Sequence, residues 1–496
     1  MFEPKRLHPI TAVLSFFKQL KELFFPFMVF IFLGTRDNEG ISSFVLVIGA
    51  TGILLLLLIK GILSWYRFTY RIEDNELRIE YGLFVTKKRY IPFERIQSLD
   101  LSEGILHRPF QLVKVKVETA GSNGIEDAEG VLTAIKKEEA EAIQEIFAAS
   151  KRMQKDKGLN ETEIQVEDNI IYQATPKELF ILASTSGGVG VVISAVLAFI
   201  FQFEEIIPYE RVFKGLEEFV TSGLVFVSLV LFVGFLFAWI IALIATMIKY
   251  ANFTVRKVGE DLVITRGLLE RRQFTIPIKR IQAIRISENI VRQPIGYATV
   301  IVESAGGSSV NEESSKVVLL PVIKKSKIQA LIEPFLTEYL FTDDFKTVPR
   351  RSFIRYLFRG WIYVIPLIII PILIFKLWGL LSSILFLLVS SIWSYLKYKD
   401  AGWDIQQLQL SLRYRTLVKH TVFMKRYKIQ SFSFRESYFQ RKKKLATVEA
   451  SVKSGLGGTG GTVIDLNKED VLEIYKWYSS ERRLSPTETN LDTETK

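Results

Sequence analysis

The line YIPFERIQSLDL at residues 90–101 returns 185 positions later as TIPIKRIQAIRI at residues 275–286. Extended in both directions, residues 68–121 and 253–306 align without a gap. Shared landmarks are Phe68 with Phe253, Arg71 with Arg256, Gly82 with Gly267, Pro92 with Pro277, Pro109 with Pro294 and Gly121 with Gly306. A repeat of this length confines the chain to one module used more than once. A third, divergent copy begins near Gly402, where Ile429 and Gln430 match Ile96 and Gln97, and Ala446, Thr447 and Val448 match Ala298, Thr299 and Val300. It has lost the landmark glycine and proline, with Arg415 and Lys425 in their places.

Inside each copy apolar and polar residues alternate, as in Leu77, Ile79 and Tyr81 against Arg78 and Glu80, or Val113, Val115 and Val117 against Lys114, Lys116 and Glu118. A period of two predicts half-buried strands. Turn residues at 73–76 and 121–124 separate them. Each copy then closes on a helical stretch, at residues 137–151, 324–339 and 470–479, the last with Asn467 near its start as a cap. The pattern predicts a small antiparallel sheet closed by one helix. Repeated polar pairs, Arg95–Gln97, Arg280–Gln282 and Lys428–Gln430, read as internal hydrogen bonds that fix the sheet, with a ligand-binding edge as the alternative.

Between the copies lie apolar runs that a bilayer would accept. About 20 mostly apolar residues cross the hydrocarbon core. Ile41–Leu63, Phe180–Phe203 and Phe219–Ile248 reach that length, and Trp361–Leu396 is long enough for two spans with a tight turn at Lys376. The first segment is weaker, because Lys18, Lys21 and Glu22 leave only Leu23–Leu33 uncharged; it is expected as an uncleaved first span. Six transmembrane helices in three hairpins follow. The short loops facing away from the modules hold Arg36, Arg211, Lys214 and Lys376, only four of the 64 Lys and Arg. The positive-inside bias therefore puts both termini and every module on the cytoplasmic face of the plasma membrane. Trp65, Trp361 and Trp393 sit at span ends as interface anchors. Small residues from Ala183 to Gly190 suit close helix packing.

The string from Arg71 through Gly82, the P-x-x-R-I-Q at Pro92–Gln97 and Pro277–Gln282, and the closing Glu118–Gly121 and Glu303–Gly306 resemble the bacterial PH-like domain family bPH2 (DUF304). The resemblance implies an α+β pleckstrin-homology-like fold, a bent antiparallel sheet with a C-terminal helix, in each copy. It also implies a smaller membrane protein of the same family as partner. The expected order is hairpin one (12–63), PH-like domain one (64–150), a charged linker (151–178), hairpin two (179–248), domain two (249–340), a linker (341–357), hairpin three (358–396), divergent domain three (397–480) and a polar tail (481–496).

Catalytic chemistry finds little footing. With no cysteine and only His8, His107 and His420, thiolate chemistry is excluded and metal clusters or histidine triads are not expected. GLGGTG at 455–460 fits a dinucleotide fingerprint as text, but a strand-like stretch follows it where a helix is required, so a hairpin loop is expected. No cofactor is expected and no enzyme activity. Basic clusters recur at what reads as one loop: Lys87, Lys88 and Arg89, then Arg271 and Arg272, then Lys419 and His420, with Arg441, Lys442, Lys443 and Lys444 as a further set. Facing an anionic leaflet, each is worth about 1 kcal/mol. They are the candidate contacts for membrane lipids or a partner, the alternative being an ordinary solvated turn. The net charge of +11 reads as membrane topology, and no nucleic-acid binding is expected. The expected function is a non-enzymatic membrane scaffold or assembly factor, placed by its location to serve in envelope stress or antimicrobial resistance. A transporter or lipid-moving protein is the alternative.

Overall fold

The computed structural model describes residues 4–35, 43–119, 130–156, 168–187, 194, 224–305, 316–454 and 457–479. Copy one comprises β1 (Lys5–Arg6), α1 (Ile10–Thr35), α2 (Ser43–Arg67), β2 (Thr69–Glu73), β3 (Glu76–Tyr81), β4 (Lys87–Pro92), β5 (Ile96–Glu103), β6 (Leu112–Thr119), β7 (Gly130–Lys136) and α3 (Lys137–Asp156). Copy two comprises β8 (Asp168–Gln173), α4 (Pro176–Thr185), α5 (Leu224–Tyr250), β9 (Thr254–Val258), β10 (Asp261–Arg266), β11 (Arg271–Pro277), β12 (Ile281–Glu288), β13 (Tyr297–Ser304), β14 (Lys316–Lys324) and α6 (Lys325–Ile332). Copy three comprises β15 (Lys346–Thr347), α7 (Phe353–Phe375), α8 (Leu377–Asp400), β16 (Gly402–Gln406), β17 (Gln409–Arg415), β18 (Lys419–Lys425), β19 (Ile429–Arg435), α9 (Tyr438–Lys442), β20 (Leu445–Ser454), β21 (Gly457–Asn467) and α10 (Lys468–Ser479).

The module is thus two antiparallel three-stranded meanders followed by a helix. Between the meanders the P-x-x-R segment makes a single 3-10 turn, Phe93–Arg95 in copy one and Ile278–Arg280 in copy two, with Arg426–Lys428 in copy three. Proline at its head suits this, since the ring fixes φ and the missing N–H costs nothing at a turn start. The polar pair after it is internally satisfied in copy two. Arg280 donates from Nε and Nη2 to the Ala305 carbonyl at 3.1 and 2.5 Å, and Gln282 Nε2 to the Arg280 carbonyl at 3.1 Å.

The chain divides into two compact units, residues 1–168 with 261–277, and residues 169–260 with 278–496. In unit one, β2, β3 and β4 form a sheet joined by β1, with Lys5 opposite Tyr70. Its core gathers Leu7, Tyr70, Leu77, Ile79, Val115, Val117, Leu132 and Ile143. In unit two, β15 plays the part of β1, with Lys346 opposite Trp403 on β16. Here the core gathers Val348, Trp403, Leu412, Val422, Val448, Val463 and Ile474. The short strand before a hairpin therefore pairs with the first strand after it and closes the hairpin's base.

The second meanders of copies one and two are each covered by a strand of the following copy. In unit one β11 lies antiparallel to β5, with Arg271 opposite Glu103, Arg272 opposite Ser102 and Gln273 opposite Leu101. In unit two β18 lies antiparallel to β12, with Lys419 opposite Glu288, His420 opposite Ser287 and Thr421 opposite Ile286. The expected basic loop is therefore strand at β4, β11 and β18. The loop proper is the tight turn before it, where Gly82 and Gly267 adopt φ of +118° and +106°. A Cβ there would stand 2.0 Å from the carbonyl oxygen of Val85 or Glu270, so glycine is required. Copy three dispenses with it because Arg415, in the same place, does not take a positive φ; its side chain is ion-paired with Asp400 and almost fully buried.

The expectation of six transmembrane helices is not met. Among the described residues three helices are long and apolar enough to cross a membrane: Phe232–Tyr250, Arg350–Leu373 and Gly379–Asp400. α1 and α2 are helices of 26 and 25 residues. α1 carries Lys18, Lys21 and Glu22 in its first half, and part of α2 lies outside the residues whose side chains are described. Most of the run expected over 180–203 lies outside the described residues, as do Gly188 and Gly190. The tight turn at Lys376 is present, with φ of 45° between α7 and α8.

Candidate functional site

The sequence-selected cations lie on β4 and β11 in unit one and on and just after α9 in unit two. Lys87 and Lys88 are exposed on β4, Lys88 lying 3.4 Å from Glu80, and Arg89 stands 5.4 Å over the Tyr81 ring. Arg271 is exposed at the start of β11, and Arg272 bonds Glu270 at 2.9 Å. Arg441 and Lys442 on α9, with Lys443 and Lys444 after it, are all exposed, and Arg441 lies 3.7 Å from Glu436.

Unit two instead builds a cavity of about 650 Å³ where hairpin three meets the sheet of copy three. Tyr356, Arg359 and Tyr363 reach it from α7, Trp393 and Lys397 from α8, and Gly458–Thr462 form a wall from β21. Gly458 and Gly460 are part of the string expected as a hairpin loop. From Gly457 onward it is ladder, with Lys453 opposite Gly458 and Ser451 opposite Gly460. Glycine is needed there because a Cβ on Gly460 would stand 1.8 Å from the Ala450 carbonyl oxygen.

The wall is held by one carboxylate. Asp465 is fully buried with a left-handed φ of 59°. Its Oδ1 accepts from Arg355 Nε at 3.0 Å and Gln440 Nε2 at 2.7 Å, while Oδ2 accepts from Arg359 Nη2 at 3.0 Å. Ser352 Oγ donates to the Asp465 carbonyl at 2.7 Å and Tyr356 OH to the Ile464 carbonyl at 2.8 Å. Burying a carboxylate among paired donors is tolerable, and an isolated one is not. The hairpin is thus fastened to β21 through its first helix. Lys397 has no carboxylate within ion-pair distance among the described residues; Glu449, ion-paired with Arg435, lines the same cavity. Arg359 and Lys397, three aromatic rings at the end of apolar helices and a polar strand wall suit an anionic headgroup with a greasy tail.

A second polar cluster pins β12 and β13 to copy three. Arg285 Nε donates to the fully buried Glu303 Oε1 at 2.6 Å, Nη1 to Tyr414 OH at 2.6 Å and Nη2 to the Gly460 carbonyl at 2.9 Å. Burial disfavours the Arg285 charge, but Glu303 and Tyr414 outweigh it and hold the guanidinium pKa above its ordinary value. His420, in a 3.0 Å hydrogen bond with Ser287, is pulled down to about 4 by burial, with the charges of Arg285 and Lys316 adding to the effect. Neither Asp465 nor Arg285 stood out in the sequence. A lone acid in VIDLN and a lone arginine in a strand look like solvent-facing residues until the tertiary structure encloses them.

Among the described residues no three His, Asp or Glu side chains gather as metal ligands do. The sequence profile described as bacterial PH domain, bPH_2, matches residues 24–151, 192–336 and 361–482. The chain is 40% identical to UPF0699 transmembrane protein YdbT of Bacillus subtilis (strain 168), over 97% of this chain and 99% of that protein. It is also 34% identical over 53 residues to UPF0699 transmembrane protein YdbS of the same organism, covering 11% of this chain and 33% of that one. No solved structure matches. With three matched copies spanning most of its length, and with helices apolar enough to cross a bilayer, the chain belongs to the bacterial PH domain, bPH_2, family as a three-copy membrane protein.

Proposed function

We propose that the protein is a non-enzymatic membrane scaffold, anchored by its hairpins and presenting its PH-like modules at the cytoplasmic face of the plasma membrane. The observation that carries this reading is the use of one strand register to join copy two to copy one and copy three to copy two. A contact built twice in the same way is a general docking device for this module, and linked modules engage a further partner at high effective concentration. The partner chemistry that fits is another, smaller membrane protein of the same family, with anionic lipid as a second ligand. A role in envelope stress or resistance to membrane-active compounds accords with that placement.

The test is purification of the full-length protein from its native membranes in lipid nanodiscs, with protein and lipid composition determined. A stoichiometric smaller bPH_2 protein is the expected result; a chain that purifies alone at native expression overturns the scaffold reading. The second reading, a lipid-moving protein, is favoured by the cavity at the base of hairpin three. If the cavity seats a headgroup, Arg359→Gln with Lys397→Gln lowers co-purified anionic lipid several-fold, by about 1 kcal/mol per cation. Unchanged lipid content removes that ligand.

A further inference from the structure

β5, β12 and β19 are the same strand in the three copies. β5 is covered along its outer edge by β11 and β12 by β18, and β12 is buried from Ala283 through Glu288. β19 is left bare: among the described residues no strand pairs with its outer edge. Gln430, Ser431, Ser433, Phe434 and Arg435 are exposed, and Phe434 keeps 45% of its surface in solvent. On its inner side it is fully laddered to β20, from Ser431 opposite Ser451 to Arg435 opposite Thr447. An edge of this kind offers a row of backbone donors and acceptors for another strand, and natural proteins usually blunt one with inward charges or a proline. β19 has neither at its centre. Ser433 stands where β12 has Arg285 and β5 has Asp100.

We infer that β19 receives the third strand of a fourth bPH_2 module, carried by a separate polypeptide, in the register of the two internal junctions. The inference rests on the scaffold reading and names its contact. In both junctions a basic residue of the incoming strand faces a glutamate, Arg271 facing Glu103 and Lys419 facing Glu288, the latter pair 3.2 Å apart. Glu436 occupies that position in copy three and already has Lys468 at 3.1 Å. The next incoming residue faces Ser102 and Ser287 in the internal junctions, but Arg435 here. This argues against a second copy of the same chain. Its own third strand, β4, would bring Lys87 against Arg435, and like charges directly opposite destabilise a sheet. A different family member with a neutral or acidic residue at that position fits. A second, partly matching family member, YdbS, occurs in the same organism as the full-length relative YdbT.

The test places the photocrosslinker p-benzoyl-L-phenylalanine at Phe434 of the full-length protein in native membranes and identifies the adduct by peptide mass spectrometry. The expected adduct is the third-strand peptide of a different bPH_2 protein. An adduct to residues 86–92 of a second copy overturns the inference in favour of self-assembly. Absence of any protein adduct while the smaller family member still co-purifies also overturns it, and leaves the scaffold standing; if no family member co-purifies, the scaffold falls too. As a second readout, Ser433→Lys, at an exposed position, is expected to lower co-purified partner about tenfold with the melting temperature unchanged. Equal recovery of partner from this variant overturns the inference.

Discussion

Glu303 and Arg285 show how a single buried pair can set the position of a whole strand. Glu303 has no exposed surface, and Arg285 reaches from it to Tyr414, Thr459 and Gly460 of copy three. Removing the acid alone, as Glu303→Leu, leaves a buried guanidinium unpaired and is expected to cost about 3–5 kcal/mol. Replacing both, as Arg285→Met with Glu303→Leu, is expected to cost less than the acid alone, because no charge remains to be desolvated. Thermal unfolding of the full-length protein in detergent checks the order. His420 supplies a pH response at the same junction. Its folded pKa of about 4 lies below the ordinary 6.5, so as pH falls the unfolded chain takes up the proton first. Stability from this residue is complete above the higher value and is lost between the two. His420→Asn is expected to flatten the fall in melting temperature between about pH 7 and about pH 5.

Among the elements, the strands that join copies carry the architecture. Antiparallel partners directly opposite one another lie within disulfide reach, and the natural chain has no cysteine to interfere. Ser102→Cys with Arg272→Cys, and Ser287→Cys with His420→Cys, are therefore expected to oxidise within one chain, seen as a mobility shift under non-reducing electrophoresis that is independent of concentration. Pairs moved by one residue on one strand face opposite sides of the sheet and are expected not to form. The turn ahead of β11 is equally specific. Gly267→Ala forces a Cβ against the Glu270 carbonyl at a positive φ and is expected to destabilise by about 1–3 kcal/mol.

For the whole molecule, the expected orientation rests on where lysine and arginine fall. Single cysteines at the exposed Phe84 and Leu417 report on copies one and three separately. With the modules inside, membrane-impermeant maleimide is expected to label neither in intact cells and both after permeabilisation. Labelling of either from outside reverses the topology.

The triplication, the strand periods, the helix closing each copy and the apolar hairpin that turns at Lys376 could all be read from the sequence, because local alternation and run length depend only on neighbours along the chain. The same alternation cannot tell whether a strand's outer edge meets its own module, the next one or solvent. Leu101, Ile286 and Phe434 occupy one repeat position, yet the first two have a strand across from them and the third is exposed. The short pre-hairpin strands, at two residues in β1 and β15, were too brief to register as a period. Asp465 likewise becomes a fastening point only once Arg355 and Arg359, over a hundred residues earlier, are brought beside it. Sequence determined what each module is; the meeting of edges and charges distant along the chain decided how one module takes hold of the next, because hydrogen-bond pairing and desolvation act between surfaces that only folding brings together.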